Sequence, residues 1–257
     1  MGDIALSTDR LTVNFGTFCA VNNVSLQLKR HSITGLIGPN GAGKTTFFNA
    51  LTGMLKPSSG WVMLDGIETT GKRPDQLYAS GLARTFQIPR PFSRMSVLEN
   101  VMLAPLAQRG EHLWGATFSS RKVFDQEQKI RQKALEILDF VTLSALVDHE
   151  AGRLSGGQTK LLELARVLMG APSIILLDEP AAGVNPTLTN VLLERIEALN
   201  AQGTTFLIIE HDMDFIMSHC NPVIALSAGE MIFEGTPEEA QANTILLDAY
   251  LGAQASD

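Results

Sequence analysis

Apolar residues recur at every second position in two short stretches near the N-terminus, Leu11, Val13 and Phe15, then Val24, Leu26 and Leu28. A period of two belongs to strands with one buried face, so these segments are read as a pair of antiparallel strands. The next apolar run, ITGLIG (33–38), does not alternate and reads as a strand covered on both sides, and FFNALTGML (47–55) has the length and composition of a helix. From Pro89 to about Arg153 the texture changes. Two prolines stand close together in IPRPF (88–92), and a polar stretch from Asp125 carries Ile130, Ala134, Leu138 and Val141 on one helical face. Beyond Pro172 strands and helices alternate again. IILLD (174–178) precedes a helix with Leu188, Val191, Leu192, Ile196 and Leu199 on one side, and TTFLIIE (204–210) precedes a helix opening at Asp212. Such repeated units imply a mostly parallel sheet with helices on both faces. No internal repeat, low-complexity tract or long linker interrupts the chain. The expectation is an α/β core of residues 1–87 and 156–257 with N-terminal antiparallel strands, carrying an inserted α-helical subdomain over 88–155.

Composition narrows the function classes. The 257 residues are 45% hydrophobic and 18% charged, which suffices for a full core. The formal charge of −7, with acidic residues spread rather than blocked, argues against a nucleic-acid surface. Cys19 and Cys220 lie among apolar residues without metal-like spacing and read as two buried thiols in a reducing compartment. The longest apolar runs are strand-sized, far short of the ~20 residues of a membrane helix. The opening MGDIALSTDR has no basic region followed by an apolar core, and Leu6 stands where an acylation signal wants Ser or Thr. A cytoplasmic protein, neither exported nor lipid-anchored, is expected.

Four short motifs carry the chemistry. GPNGAGKT, Gly38, Pro39, Asn40, Gly41, Ala42, Gly43, Lys44 and Thr45, matches the phosphate-loop pattern G-x-x-x-x-G-K-[ST] in full, with a strand before it and a helix after it. Its amides and the positive end of the helix suit phosphate oxygens; Lys44 suits the outer phosphates and the Thr45 hydroxyl suits Mg2+. SIILLDEP (173–180) ends an apolar strand in Asp178 and Glu179, neighbours that face opposite ways. Asp178 fits a magnesium shell and Glu179 fits polarising an attacking water, although an acidic turn after a strand is also a common structural feature. His211 succeeds another buried strand, at the end where ligands collect in open α/β sheets, and reads as a γ-phosphate contact against the plainer alternative of a structural histidine. LSGGQ (154–158) puts two glycines beside Ser155, a good helix cap. It is read either as a plain cap or as a second phosphate-binding element, one that lies too far along the chain from Lys44 to share its phosphate unless another copy supplies it.

Taken in order over nearly the whole chain, GPNGAGKTT, LSGGQ, LLDEP and EHD resemble the ABC-family ATPases. The resemblance implies a phosphate-loop NTPase core that hydrolyses ATP with Mg2+, in a head-to-tail dimer with a second ATPase subunit, itself or a related one. It implies that the loop from Gly38 to Thr46, Thr46 included, holds ATP in one subunit while Ser155, Gly156, Gly157 and Gln158 of the other close on the γ-phosphate. Phe15 then matches the aromatic that stacks on adenine. Gln87 in ARTFQ matches the glutamine that reaches magnesium and the water, joining Lys44, Glu179 and His211 as a catalytic residue and Thr45 and Asp178 as a metal ligand. Asn185 in AAGVNP stands where an aspartate is usual, and TKLLELAR departs from the commoner pattern after the signature. The stretch GLARTFQIPRPFSRMSVLENVMLA, the polar insert and DEPAAGVNP are similar to the ATPase subunits of branched-chain amino acid importers. That branch implies two membrane permease subunits, indirectly a substrate-binding protein, and a peripheral place on the cytoplasmic face of the cell membrane. The segment Ile88 to Ser96, next to Gln87, is read as the surface that grips the permease, with a proline-stiffened surface loop as an equal alternative. The rivals are a soluble ABC clamp in DNA repair, iron–sulfur assembly or translation, and an exporter ATPase. A small GTPase is weakest, because no N-K-x-D motif occurs.

Overall fold

The computed structural model describes residues 3–85, 90–105, 120–244 and 246. In chain order it runs β1 (Ile4–Phe15), β2 (Phe18–Val24), β3 (Gln27–Lys29), β4 (Ile33–Ile37), α1 (Lys44–Leu51), β5 (Ser59–Leu64), β6 (Ile67–Glu68), α2 (Pro74–Ala79) and β7 (Leu82–Arg84). Then come α3 (Val97–Met102), α4 (Ser120–Phe140), α5 (Gly156–Leu168), β8 (Ile174–Asp178), α6 (Pro186–Ala201), β9 (Thr205–Ile209), α7 (Met213–His219), β10 (Val223–Ser227), β11 (Glu230–Gly235) and α8 (Pro237–Gln241). Two compact units result, Met1–Gln87 with Ser173–Ala182 and Leu199–Asp257, and Ile88–Pro172 with Gly183–Ala198. Contact density thus groups α5 and most of α6 with the helical unit, whereas the sequence boundary at 155/156 leaves them in the core. A strand–helix rhythm cannot tell which helix covers the sheet and which packs on other helices.

The first unit holds two sheets. One is antiparallel, in the order β2-β1-β5-β6 with β3 also on β1. The other runs β11-β10-β4-β9-β8-β7 and is parallel except for the β10–β11 pair. The alternation Val24, Leu26, Leu28 belongs to two strands rather than one. Val24 closes β2 and Leu28 sits in β3, both against β1, and the buried Thr8 hydroxyl fills the gap by donating to Val24 O (3.0 Å) and accepting from Leu26 N (3.1 Å). Register shifts flank Val13 in the β1–β2 ladder, with the extra residues on β2, so β1 keeps its period and Leu11 and Val13 are both buried. Phe15, the last residue of β1 at the hairpin end, is 52% exposed. Below the sheets one apolar cluster joins Leu6, Leu11 and Leu28 to Leu176, Leu207 and the wholly buried Phe47 and Phe48 of α1. Cys220 is buried, which pushes its thiol up to about 12, whereas Cys19 is only half-buried; both are free.

In the helical unit Ala134, Leu138 and Val141 are fully buried as the stripe predicts, with Ile130 half-buried at its edge, and the helix begins at Ser120, ahead of Asp125. Arg195 lies over the Phe140 ring at 5.4 Å, and Lys133 Nζ donates to Met169 O at 3.1 Å. Among the described residues no helix is long and apolar enough to cross a membrane.

Candidate nucleotide site

Parallel pairing fixes the site before any side chain is placed. In the adjacent strands β4, β9 and β8, Leu36 stands beside Ile209 and Ile209 beside Asp178, so all three strands end at one edge of the sheet. That edge therefore gathers the glycine loop after β4, Glu179 after β8, and Glu210 and His211 after β9. Glu179 adopts a left-handed backbone, φ 49°, a conformation that costs a non-glycine residue about 1–2 kcal/mol. Its amide donates to Ile209 O at 2.9 Å, which ties the turn to the neighbouring strand.

Asn40 to Thr46, Glu179, His211, Phe18 and Ala20 line an open cleft of about 390 Å³. The loop approaches β2 closely. A Cβ on Gly43, whose φ is 97°, would stand 2.4 Å from Ala20 O, so only glycine lets the loop turn here into α1. Lys44 Nζ donates to Gly38 O at 2.6 Å and Pro39 O at 3.0 Å, which holds the ammonium over its own loop. Burial lowers the Lys44 pKa, and the charges of Glu179 and Asp178 oppose that shift. His211 Nε2 lies 2.8 Å from Glu179 Oε1. Buried Glu210 supports both residues' turns, accepting from Ala181 N at 2.7 Å and His211 N at 3.2 Å.

Asp178 is 2% exposed. Its Oδ2 accepts from Arg84 Nη2 at 2.6 Å, while its buried Oδ1 has no hydrogen-bond partner among the described residues. Arg84 is itself held by Asn49 Oδ1 at 2.6 Å and lies 5.5 Å over the Phe48 ring.

The glycine loop, Glu179 and His211 are thus brought together, with Lys44 coupled electrostatically to Asp178. Phe15 is not among the residues lining the cleft; Phe18, its partner across the β1–β2 hairpin, is. Gln87 lies outside the described residues. Ser155, Gly156, Gly157 and Gln158 open α5 in the helical unit. Ser155 Oγ accepts from Gln158 N and Gln158 Oε1 from Ser155 N, a reciprocal capping box. Gly157 is buried, and a Cβ there would meet Leu188 Cδ1 at 2.6 Å and Val184 Cγ1 at 2.9 Å. Asn185 caps α6, its side chain accepting from Leu188 N at 3.0 Å, a task aspartate would perform equally. Sequence reasoning missed Arg84, Asn49, Glu210 and Phe18. Only Arg84 left a signal, a lone cation at the end of a short apolar strand.

The family model for ABC transporters matches residues 21–182. A probable branched-chain amino acid transport ATP-binding protein of Archaeoglobus fulgidus is 40% identical over 252 residues, 98% of this chain and 97% of its own length. A high-affinity branched-chain amino acid transport ATP-binding protein of Escherichia coli is 38% identical over 253 residues, 98% and 99% of the two chains. Among solved structures, a nucleotide-free ATP-binding cassette from an ABC transporter superposes with a TM-score of 0.85 at 37% identity, covering 96% of this chain and 98% of that one. The ADP conformation of a cassette gives 0.83 at 36% identity, covering 97% and 99%. With the glycine loop, the strand-end carboxylates and this full-length similarity together, the chain belongs to the ABC transporter family as one of its ATP-hydrolysing cassettes.

Proposed function

We propose that this chain is the ATPase subunit of an importer of branched-chain or similar hydrophobic amino acids. It works beneath two membrane permease subunits, peripheral at the cytoplasmic face of the cell membrane, with a substrate-binding protein delivering the solute and no nucleic acid involved. Its partner is a second cassette, itself or a related subunit, packed head to tail. The observation that carries the chemistry is the meeting of Lys44, Glu179 and His211 at one cleft. Similarity to branched-chain transport ATP-binding proteins along almost the whole chain supports the solute class.

In this reading the loop amides and Lys44 take the phosphates, and Glu179 takes the proton of the attacking water. His211, 2.8 Å from the Glu179 carboxylate, orients it and reaches the γ-phosphate. The aromatic surface for adenine comes from the hairpin, Phe18 lining the cleft beside Phe15. Ser155, Gly156, Gly157 and Gln158 of the second cassette complete the γ-phosphate shell. Among the described residues no cluster of three or more His, Cys, Asp or Glu could hold a metal alone. That suits magnesium, which usually takes one or two protein groups and fills its shell with water and phosphate oxygens. The buried Asp178 Oδ1, without a hydrogen-bond partner among the described residues, is the acceptor such an ion needs, with Thr45 and Gln87 as the other protein groups. Bound there, Mg2+ would neutralise charge on the β- and γ-phosphates.

Replacing Glu179 with Gln tests the assignment. Hydrolysis is expected to fall about 10²-fold or more, as for loss of a positioned base, while ATP now locks a dimer visible by gel filtration. In cells lacking the native chain, uptake of radiolabelled leucine, isoleucine and valine should be restored by the wild type and not by Glu179→Gln. A fully active monomeric variant would refute the site, and uptake independent of the chain would refute the solute.

A further inference from the structure

Arg84 is a buried cation on the carboxylate assigned to magnesium, and phosphate-loop chemistry gives it no task. Its side chain is 8% exposed and that of Asp178 2%. Among its contacts with described residues, Nη2 donates to Asp178 Oδ2, Nη1 to Asn49 Oδ1, and the planar carbon lies over Phe48. Asn49 and Phe48 lie on α1, the helix that starts at Lys44, and Asp178 at the end of β8. A merely architectural ion pair is a poor explanation. β7 and β8 are already joined by a ladder from Leu82–Ile174 to Arg84–Leu176, and buried ion pairs contribute little net stability. The pair does have an electrostatic effect. Asp178 and Glu179 are adjacent carboxylates at one strand end; Lys44 offsets part of their charge from the glycine loop, but Arg84 is the cation hydrogen-bonded to Asp178 itself.

We propose that Arg84 is the resident counter-ion of Asp178, a positioning residue that occupies Oδ2 and neutralises the site so that a divalent metal enters only with the phosphates of a nucleotide. The proposal rests on Asp178 being a metal ligand. Arg84 leaves Oδ1 as the acceptor for the metal's shell, while its charge opposes a metal that lacks accompanying phosphates. When phosphates are present, their negative charge outweighs that opposition. Asn49 and Phe48 keep the guanidinium from swinging away.

The test uses Mn2+ as the probe, read by the loss of its free electron-paramagnetic-resonance signal on titrating the full chain, with and without ADP. Wild type should take up Mn2+ with ADP and bind it only weakly alone. Arg84→Met should bind Mn2+ without nucleotide about tenfold more tightly or better, the order expected when a nearby unit charge that repels a divalent ion is removed. Arg84→Lys, which keeps the charge, should behave like wild type. The gain should vanish in the double variant Arg84→Met/Asp178→Asn. Asn49→Ala, which unfastens the guanidinium without removing it, should move binding the same way by a smaller factor, and it decides the matter should Arg84→Met fail to fold. Unchanged nucleotide-free Mn2+ binding in the folded Arg84 and Asn49 variants overturns the proposal while leaving the metal site standing, provided Asp178→Asn loses the Mn2+–ADP signal. If Asp178→Asn keeps that signal, the metal-site reading itself fails and takes the proposal with it.

Discussion

Gly156 and Gly157 look alike in the sequence and differ in what surrounds them. A Cβ on Gly156 would find only Gly183 O at 3.6 Å, ordinary contact, whereas one on Gly157 would press into Leu188 and Val184. Gly157→Val should therefore lower stability by about 1–3 kcal/mol, the usual penalty for overpacking. Gly156→Ala should be neutral or slightly stabilising, because alanine is the better helix former. Urea denaturation midpoints of the two variants check this, and equal midpoints would remove the packing role from Gly157. Phe15 departs from its periodicity for an equally local reason. It is the last residue of β1, paired with Phe18 at the hairpin end, whereas Leu11 and Val13 further along the strand are buried as the period requires. The positions of Lys44, Asp178, Glu179 and His211 were legible because each ends or closely follows a strand or lies in a glycine loop whose backbone geometry is local. Arg84 and Asn49 were not, because their meaning comes from a parallel pairing and a helix orientation that join positions 94 and 35 residues apart.

At the scale of elements, short helices in the helical unit hold because of the chemistry at their starts. α3 opens on Ser96 with Glu99 returning the bond, and Asn100, with no exposed surface, fastens the preceding loop. Its Oδ1 accepts from Phe92 N at 2.8 Å, and its Nδ2 donates to Ser96 O at 2.9 Å and Phe92 O at 3.1 Å. The S-x-x-E box could be read from the sequence, but nothing local marks Asn100 as a clamp rather than a polar helix residue. Asn100→Ala leaves these backbone groups without their buried partner, at about 1–3 kcal/mol in stability. Hydrogen exchange should accelerate at the Phe92 amide, while the β4 and β9 amides exchange as in the wild type once the change in global stability is subtracted. Unchanged exchange at Phe92 would deny Asn100 this function. The sheet order was likewise only partly legible. Alternating strands and helices announce parallel pairing, but nothing local in the sequence says that the order β4, β8, β9 becomes β4, β9, β8 in space, the arrangement whose parallel pairing brings the Lys44 loop, His211 and Glu179 to one edge.

At the scale of the molecule, every described residue lining the cleft comes from the first unit, while LSGGQ belongs to the second, where its serine and glutamine cap each other and one glycine is buried. The capping box fixes the amino end of α5, and the γ-phosphate contact proposed for that end is compatible with it. Whether that anion belongs to a second copy can be decided by mixing lesions. Lys44→Ala disables the loop side of a pocket and Ser155→Ala the signature side. In a head-to-tail dimer of one of each, both lesions fall in the same composite pocket and the other pocket keeps an intact Lys44 facing an intact Ser155. Random pairing makes about half the dimers mixed, each with one of two pockets whole, so about a quarter of wild-type hydrolysis should return if the pockets act independently. Each variant alone has a lesion in every pocket and should remain near its own low rate. If instead one chain supplied both elements of its own pocket, every pocket in the mixture would carry a single lesion, and mixing would restore nothing. Co-expressing the two variants with different affinity tags and purifying through both isolates the mixed dimer, for which the expected rate rises to about half that of wild type.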